Sequence, residues 1–339
     1  MSNNARFLIT LVAGFLLALL FTPLWGWVGR RLGIVARPGG RRRHEGVVSR
    51  LGGLGLAFGF LGALAISQAM PIPTADPNES RRFWGLIIGG VLMVVLGFLD
   101  DRYELPAKYQ YLGYLLAALI AVASLLILER FNNPFTDRTV VLPALLYVPL
   151  TLFWVTGMVV TVNWLDGLDG LAAGVASILA LVLSIHMIRS QQLSVAPQAL
   201  ALLGAAVGFL VYNVSPARVF LGSSGAFFLG YTLAALGLMA GGRVATVLLV
   251  MGIPIVDVAW TILDRWRHGL NPFRGDRRHL HFRLQDKGLS PRTIVFCYWG
   301  FCALCGAAAL LLSSRLYKLA ALGLLAGLAL SLLLYLSRE

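Results

Sequence analysis

Acidic residues are scarce in this 339-residue chain: Asp and Glu number 15, and all charged residues together make up 13%. So little charge over such a length excludes a water-soluble domain. Cysteine is nearly absent too. The three present, Cys297, Cys302 and Cys305, lie inside one apolar segment. Cys302 and Cys305 form a C-x-x-C, but mid-segment they read as small packing residues rather than as a metal or redox pair. No A-x-A-like cleavage site follows residues 7–29, so the first apolar run reads as a span and not as a removable leader. There is no low-complexity tract and no inverted repeat, and the acids gather at one face rather than at the bilayer midplane. Both points argue against a transporter.

Hydrophobic residues make up 58% of the chain. Apolar runs near 20 residues recur, long enough to cross about 30 Å of hydrocarbon. The reading is an all-α polytopic integral membrane protein, a single domain over 1–339 with about eleven transmembrane helices. They are expected near 7–29, 51–70, 83–99, 111–129, 144–162, 170–188, 197–213, 221–239, 244–263, 294–313 and 318–336. The formal net charge of +13 would suggest nucleic acid in a soluble protein. Here it reads as the Lys and Arg bias of cytoplasmic loops, on a surface suited to anionic membrane lipids and phosphate, with no nucleic-acid partner. Seven arginines fall within 30–50. Placing that segment inside sets the N-terminus outside and the C-terminus in the cytoplasm, and puts 19 of the 28 Lys and Arg on the inner side. The inner loops are then 30–50, 100–110, 163–169, 214–220 and 264–293, and 11 of the 15 acids fall on that side. Charge beside hydrocarbon is costly and points to function.

Asp100 and Asp101 end the third span in GFLDDRYELPAKYQ. Adjacent carboxylates repel and suit a divalent cation or a general base; the plainer reading is a solvated helix end partnered by Arg102. In NWLDGLDGLAAG, Asp166 and Asp169 are three apart, so a helix would place them on one face, and Gly167 and Gly170 let backbone approach a ligand. An ordinary Asp-Gly turn is the alternative. Gly222, Ser223, Ser224 and Gly225 open an apolar span, where free N–H groups can hold phosphate; small residues also serve helix packing. Asp257 lies in the ninth span. His279 and His281 alternate around Leu280, flanked by Arg277, Arg278 and Arg283, a setting that favours phosphate over a bare cation.

Together these segments resemble the polyprenyl-phosphate N-acetylhexosamine-1-phosphate transferases, glycosyltransferase family 4, a superfamily that also holds the phospho-N-acetylmuramoyl-pentapeptide transferases. F-L-D-D, N-W-L-D-G-L-D-G-L-A-A-G and H-L-H carry the resemblance, in the right order, most clearly over 30–290. It implies transfer of a sugar 1-phosphate from a UDP-N-acetylhexosamine, UDP-GlcNAc before the muramoyl-pentapeptide, to undecaprenyl phosphate. UMP is released as the first membrane step of a cell-envelope polysaccharide such as lipopolysaccharide or teichoic acid. It implies Mg²⁺, or Mn²⁺ in its place, a site on the cytoplasmic face of the plasma membrane, and a homodimer as in related enzymes. Catalytic roles are implied for Asp100, Asp101, Asp166, Asp169 and His281, and metal contact for Asp100, Asp101 and Asp169. Substrate contacts are implied for Arg43, His44, Arg50, Asn163, Asn213, His279 and Arg283, with Gly52 and Gly53 completing the first-loop pattern.

The chain departs from the family pattern in four places. Ser223 stands where the family has a metal-ligand aspartate, Phe282 where it has a histidine, Ala36 for an aspartate and Ser49 for a proline. These changes raise a second expectation, a weak or inactive relative that binds polyprenyl phosphate, with Asp257 as a candidate to replace the missing ligand.

Overall fold

The computed structural model describes residues 1–36, 46–133, 135–136, 138–241, 244–270, 278–312 and 314–337. Arg43, His44 and Arg277 lie outside the described residues. The chain begins with α1 (Asn3–Arg31), started by the Ser2 hydroxyl, which accepts from Ala5 N. A two-residue hairpin, β1 (Val35–Ala36) and β2 (Val48–Ser49), leads into α2 (Gly52–Gln68), α3 (Glu79–Tyr103) and α4 (Ala107–Ala123). A second hairpin, β3 (Arg130–Asn132) and β4 (Thr139–Val141), precedes α5 (Ala144–Leu165), α6 (Leu171–Arg189), α7 (Ala196–Asn213) and α8 (Gly222–Met239). The chain closes with α9 (Val244–Val250), α10 (Gly252–Arg267), the short α11 (Leu280–Asp286), α12 (Pro291–Leu311) and α13 (Arg315–Ser337). Both hairpins are antiparallel.

Among the described residues eight helices are long and apolar enough to cross a membrane, and a ninth if α9 and α10 count as one span bent by 79°. α2 and α4, also expected to span, have 17 residues each. At 1.5 Å per residue each rises about 26 Å, short of the ~30 Å hydrocarbon thickness. The outer helices turn apolar side chains outward: Leu145, Phe153 and Leu304 are each more than 70% exposed. That surface needs lipid. The chain is a multi-pass, all-α membrane protein.

The core forms around α8, almost every residue of which is buried. It packs against α2, α3, α5 and α6. Lipid tails give no hydrophobic drive for helices to associate, so close backbone approach must supply the attraction. Gly53 of α2 meets Gly225 of α8 backbone to backbone, and a Cβ on either would overlap the other helix. Some buried hydroxyls are satisfied within their own helices, as when Thr161 Oγ1 donates to Gly157 O at 2.7 Å and Ser177 Oγ to Ala173 O at 2.8 Å.

The packing has a polarity. The C-terminal ends of α1, α3, α5, α7 and α10 meet the N-terminal ends of α2, α4, α6 and α8. The expected acidic and histidine segments all lie at these ends.

Candidate active site

α3 ends because Glu104 adopts a left-handed conformation (φ +51°), its N–H donating to Asp100 O at 2.9 Å. Asp100 and Asp101 therefore sit in the last helical turn, where the dipole disfavours carboxylates. The start of α8 reverses that penalty. The N–H groups of Ser223 and Ser224 donate to Asp101 Oδ1 and Oδ2 at 2.9 and 3.0 Å, so the buried Asp101 caps α8 from another helix. Asp100 is less buried. Its Oδ1 accepts from Leu105 N at 3.0 Å and Gln110 Nε2 at 2.8 Å, and its Oδ2 accepts from the Ser223 hydroxyl. Gly222 is positive in φ (+68°) and lies against Arg50 O and both Asp101 oxygens, leaving no space for a side chain. Arg102, the partner that sequence suggested, donates instead to Leu32 O at 3.4 Å. Arg50 pairs with Glu104 at 3.4 Å on the exposed rim.

The NWLDGLDGLAAG motif is not continuous helix. α5 stops at Leu165, Asp166 caps it, and Gly170 starts α6 with φ +80°. Asp166 and Asp169 thus project from a turn rather than from one helix face; Gly167 N donates to Leu165 O at 2.8 Å, which tightens the chain before the second aspartate. Asp169 Oδ2 accepts from Ala217 N at 3.0 Å. Asn213 accepts from Gly170 N and donates to Val219 O, both at 3.0 Å, so its amide ties two loops together. Asn163 is half-buried at the end of α5 and makes no side-chain hydrogen bond among the described residues.

The histidines are held by one face of α10. Asp257, Thr261 and Asp264 recur at helical spacing, and all three are buried. Asp257 Oδ2 lies 3.0 Å from His279 Nδ1, and its Oδ1 accepts from Leu280 N at 2.8 Å. Thr261 Oγ1 is 3.5 Å from the same ring nitrogen. Asp264 meets Arg278 at 3.0 Å and Arg283 at 3.5 Å. Arg283 also donates to Arg278 O and Leu336 O. Both carboxylate oxygens of Asp257 are thereby spent on the histidine segment. The expectation that it replaces the ligand missing at Ser223 does not hold, since it belongs to a different group of side chains.

The segment 213–224 links the two carboxylate pairs. It reaches Gly170 through Asn213, Asp169 through Ala217, the first loop through Phe220 N to Ser49 O at 2.9 Å, and Asp100 and Asp101 through Ser223 and Ser224. The histidine segment lies on the aspartate turn. The Trp164 and His279 rings are 5.2 Å apart, His279 stacks on His281 at 5.7 Å and 3°, and a Cβ on Gly167 would overlap His281 Nε2. The buried Arg265 guanidinium sits 4.8 Å over the Trp164 ring. Arg265, Gln110 and Trp164 are not among the residues to which the sequence points. The polar positions 257, 261 and 264, at helical spacing in a largely apolar stretch, were the available signal.

Among the described residues no three His, Cys, Asp or Glu converge on one point that could hold a divalent cation. The four oxygens of Asp100 and Asp101 already accept five hydrogen bonds, and Asp169 is turned to Ala217. With a hydroxyl at 223 the acidic pair is occupied by neutral donors, so these residues alone do not make a closed Mg²⁺ site; two carboxylates would need substrate phosphates to complete one.

Comparison with known proteins agrees with this arrangement. The family model for glycosyl transferase family 4 matches residues 83–241. A probable undecaprenyl-phosphate N-acetylglucosaminyl 1-phosphate transferase of Bacillus subtilis is 31% identical, over 86% of this chain and 80% of its own length. A decaprenyl-phosphate N-acetylglucosaminephosphotransferase of Mycobacterium tuberculosis is 32% identical over 78% of this chain and 72% of its own. A phospho-N-acetylmuramoyl-pentapeptide-transferase of Listeria welshimeri is 32% identical over 65% and 72%. The chain belongs to glycosyl transferase family 4, within the superfamily of polyprenyl-phosphate N-acetylhexosamine-1-phosphate transferases.

Proposed function

We propose that the chain transfers N-acetylglucosamine 1-phosphate from UDP-GlcNAc to undecaprenyl phosphate at the cytoplasmic face of the plasma membrane. One observation supports this most: the acidic pair, the aspartate turn and the histidine segment converge at one end of the bundle, where a lipid phosphate and a water-soluble nucleotide can meet. The Lys and Arg excess on that side favours the cytoplasm.

In this reading an oxygen of the lipid phosphate attacks the sugar-bearing β-phosphorus of UDP-GlcNAc. The bond from that phosphorus to the bridging oxygen breaks, and UMP leaves with the electron pair. Asp100, less buried than Asp101 and reached by the Ser223 hydroxyl, orients the lipid phosphate and accepts its proton. Asp101 holds the start of α8 in place. The aspartate turn and Asn163 meet the nucleotide. His279 and His281, with Arg50 and the basic first loop containing Arg43 and His44, meet phosphate charge.

The test is UMP release by the detergent-purified full chain with both substrates. Release that needs the lipid phosphate supports the reading. A folded chain silent with UDP-GlcNAc but active with UDP-N-acetylmuramoyl-pentapeptide moves the donor assignment to the muramoyl branch.

A further inference from the structure

The buried Asp257 has no part in the transfer as described, yet both of its carboxylate oxygens are committed to one short segment. Oδ2 faces His279 Nδ1 at 3.0 Å and Oδ1 takes the Leu280 N–H at 2.8 Å. Asp257 and His279 are each 4% exposed. A buried carboxylate that only neutralised charge would be served by any nearby donor, and Arg278 and Arg283 are close in sequence to His279. Those arginines go to Asp264 instead. α10 therefore separates two tasks: Asp264 anchors the arginines, and Asp257 holds the histidine and the peptide that follows it.

We infer that Asp257 is a positioning residue for His279: it fixes the ring proton on Nδ1, so that Nε2 is the nitrogen presented to the diphosphate of the nucleotide sugar. The inference rests on the proposed transferase reading for its consequence, but not for its geometry. A carboxylate can only accept, so Nδ1 must donate, and a ring partnered there can offer a ligand only its other nitrogen. The Trp164 ring at 5.2 Å and the stacked His281 at 5.7 Å restrict the imidazole plane on two further sides. The Leu280 bond fixes the backbone that carries both histidines. Loss of the carboxylate thus frees the ring tautomer and the segment together.

Two readouts test this. The chain has five histidines, and nitrogen-15 histidine spectra, with His279 assigned from His279→Gln, show which ring nitrogen carries the proton. Nδ1–H is expected in the unmodified chain, with a shift toward Nε2–H in Asp257→Asn. A neutral ring protonated on Nε2 in the unmodified chain overturns the inference without any variant at 257. The second readout is UMP release. Asp257→Asn is expected to lower kcat/KM for the UDP-sugar about 10- to 100-fold, the range that follows loss of the outer partner of a metal-bound histidine. In a His279→Gln background the same change is expected to cost little more, because Asp257 acts through His279. A full additional loss in the double variant assigns Asp257 a direct or purely structural role and refutes the inference. Failure of the transferase reading would appear separately, as no UMP from the unmodified chain with the Nδ1–H spectrum intact.

Discussion

Replacing Ser223 by aspartate tests how the acidic pair is neutralised. In the present chain Ser223 donates twice, from its N–H to Asp101 at 2.9 Å and from its hydroxyl to Asp100. Ser223→Asp removes the hydroxyl donor, a hydrogen bond to charge worth about 1.5–3 kcal/mol. It also sets a third carboxylate beside two others. Two unit charges about 4 Å apart repel by about 4 kcal/mol at an effective dielectric of 20. Uptake of a proton limits the repulsion, since at pH 8 neutralising one carboxylate costs about 5 kcal/mol. Together with the lost hydrogen bond, the expected loss without a divalent cation is about 7 kcal/mol. For a chain of this size that lowers Tm by about 10 °C. Millimolar Mg²⁺ should restore it, because the third carboxylate completes a set of hard oxygen ligands. The assay is thermal unfolding of the purified protein in EDTA and in Mg²⁺. The unmodified chain should not respond to Mg²⁺, and Ser223→Asp should respond strongly. Mg²⁺ stabilisation of the unmodified chain equal to that of the variant would refute the claim that the pair is satisfied by α8 and its donors.

Other substitutions probe the joints of the site. Gly167→Val places side-chain atoms on His281 Nε2; it should abolish UMP release while circular dichroism and Tm change little, since the turn can shift away from the histidines. Asn213→Ala removes the amide joining Gly170 N to Val219 O and leaves buried groups unpaired. A loss of about 1–3 kcal/mol is expected from thermal or denaturant unfolding, with hydrogen exchange rising first around 213–220. Gly53→Leu separates α2 from α8 at their backbone contact and should cost more stability than any of these, read as loss of folded yield in detergent.

Much of the fold was legible because lipid imposes long apolar runs. The sequence places the eighth span at 221–239 and the helix is Gly222–Met239, since Gly and Ser mark its start and Gly241 its end. Hydropathy carries the fourth span through 129, but the helix stops at Ala123. Leu125, apolar by composition, takes φ +60° and belongs to the connection to the β3–β4 hairpin, so hydropathy alone extends the helix. The ninth gave no warning of its 79° bend beyond Gly252 and Pro254. At the site, carboxylate identity was legible because charge beside hydrocarbon stands out. Partners were not. Asp101 reaches Ser223 and Ser224 across 122 residues or more, a pairing that tertiary packing alone decides. The turn between Asp166 and Asp169 depends on α5 stopping at Leu165, and spacing of three fits a turn as well as a helix.

The most direct test of the account is UMP release by the full chain with undecaprenyl phosphate and UDP-GlcNAc in Mg²⁺, beside Asp100→Asn. The account predicts UMP only when both substrates are present, and a fall of about a hundredfold or more in Asp100→Asn with the fold retained. Equal UMP release from Asp100→Asn, or none from a folded chain with any UDP-amino sugar, would contradict it.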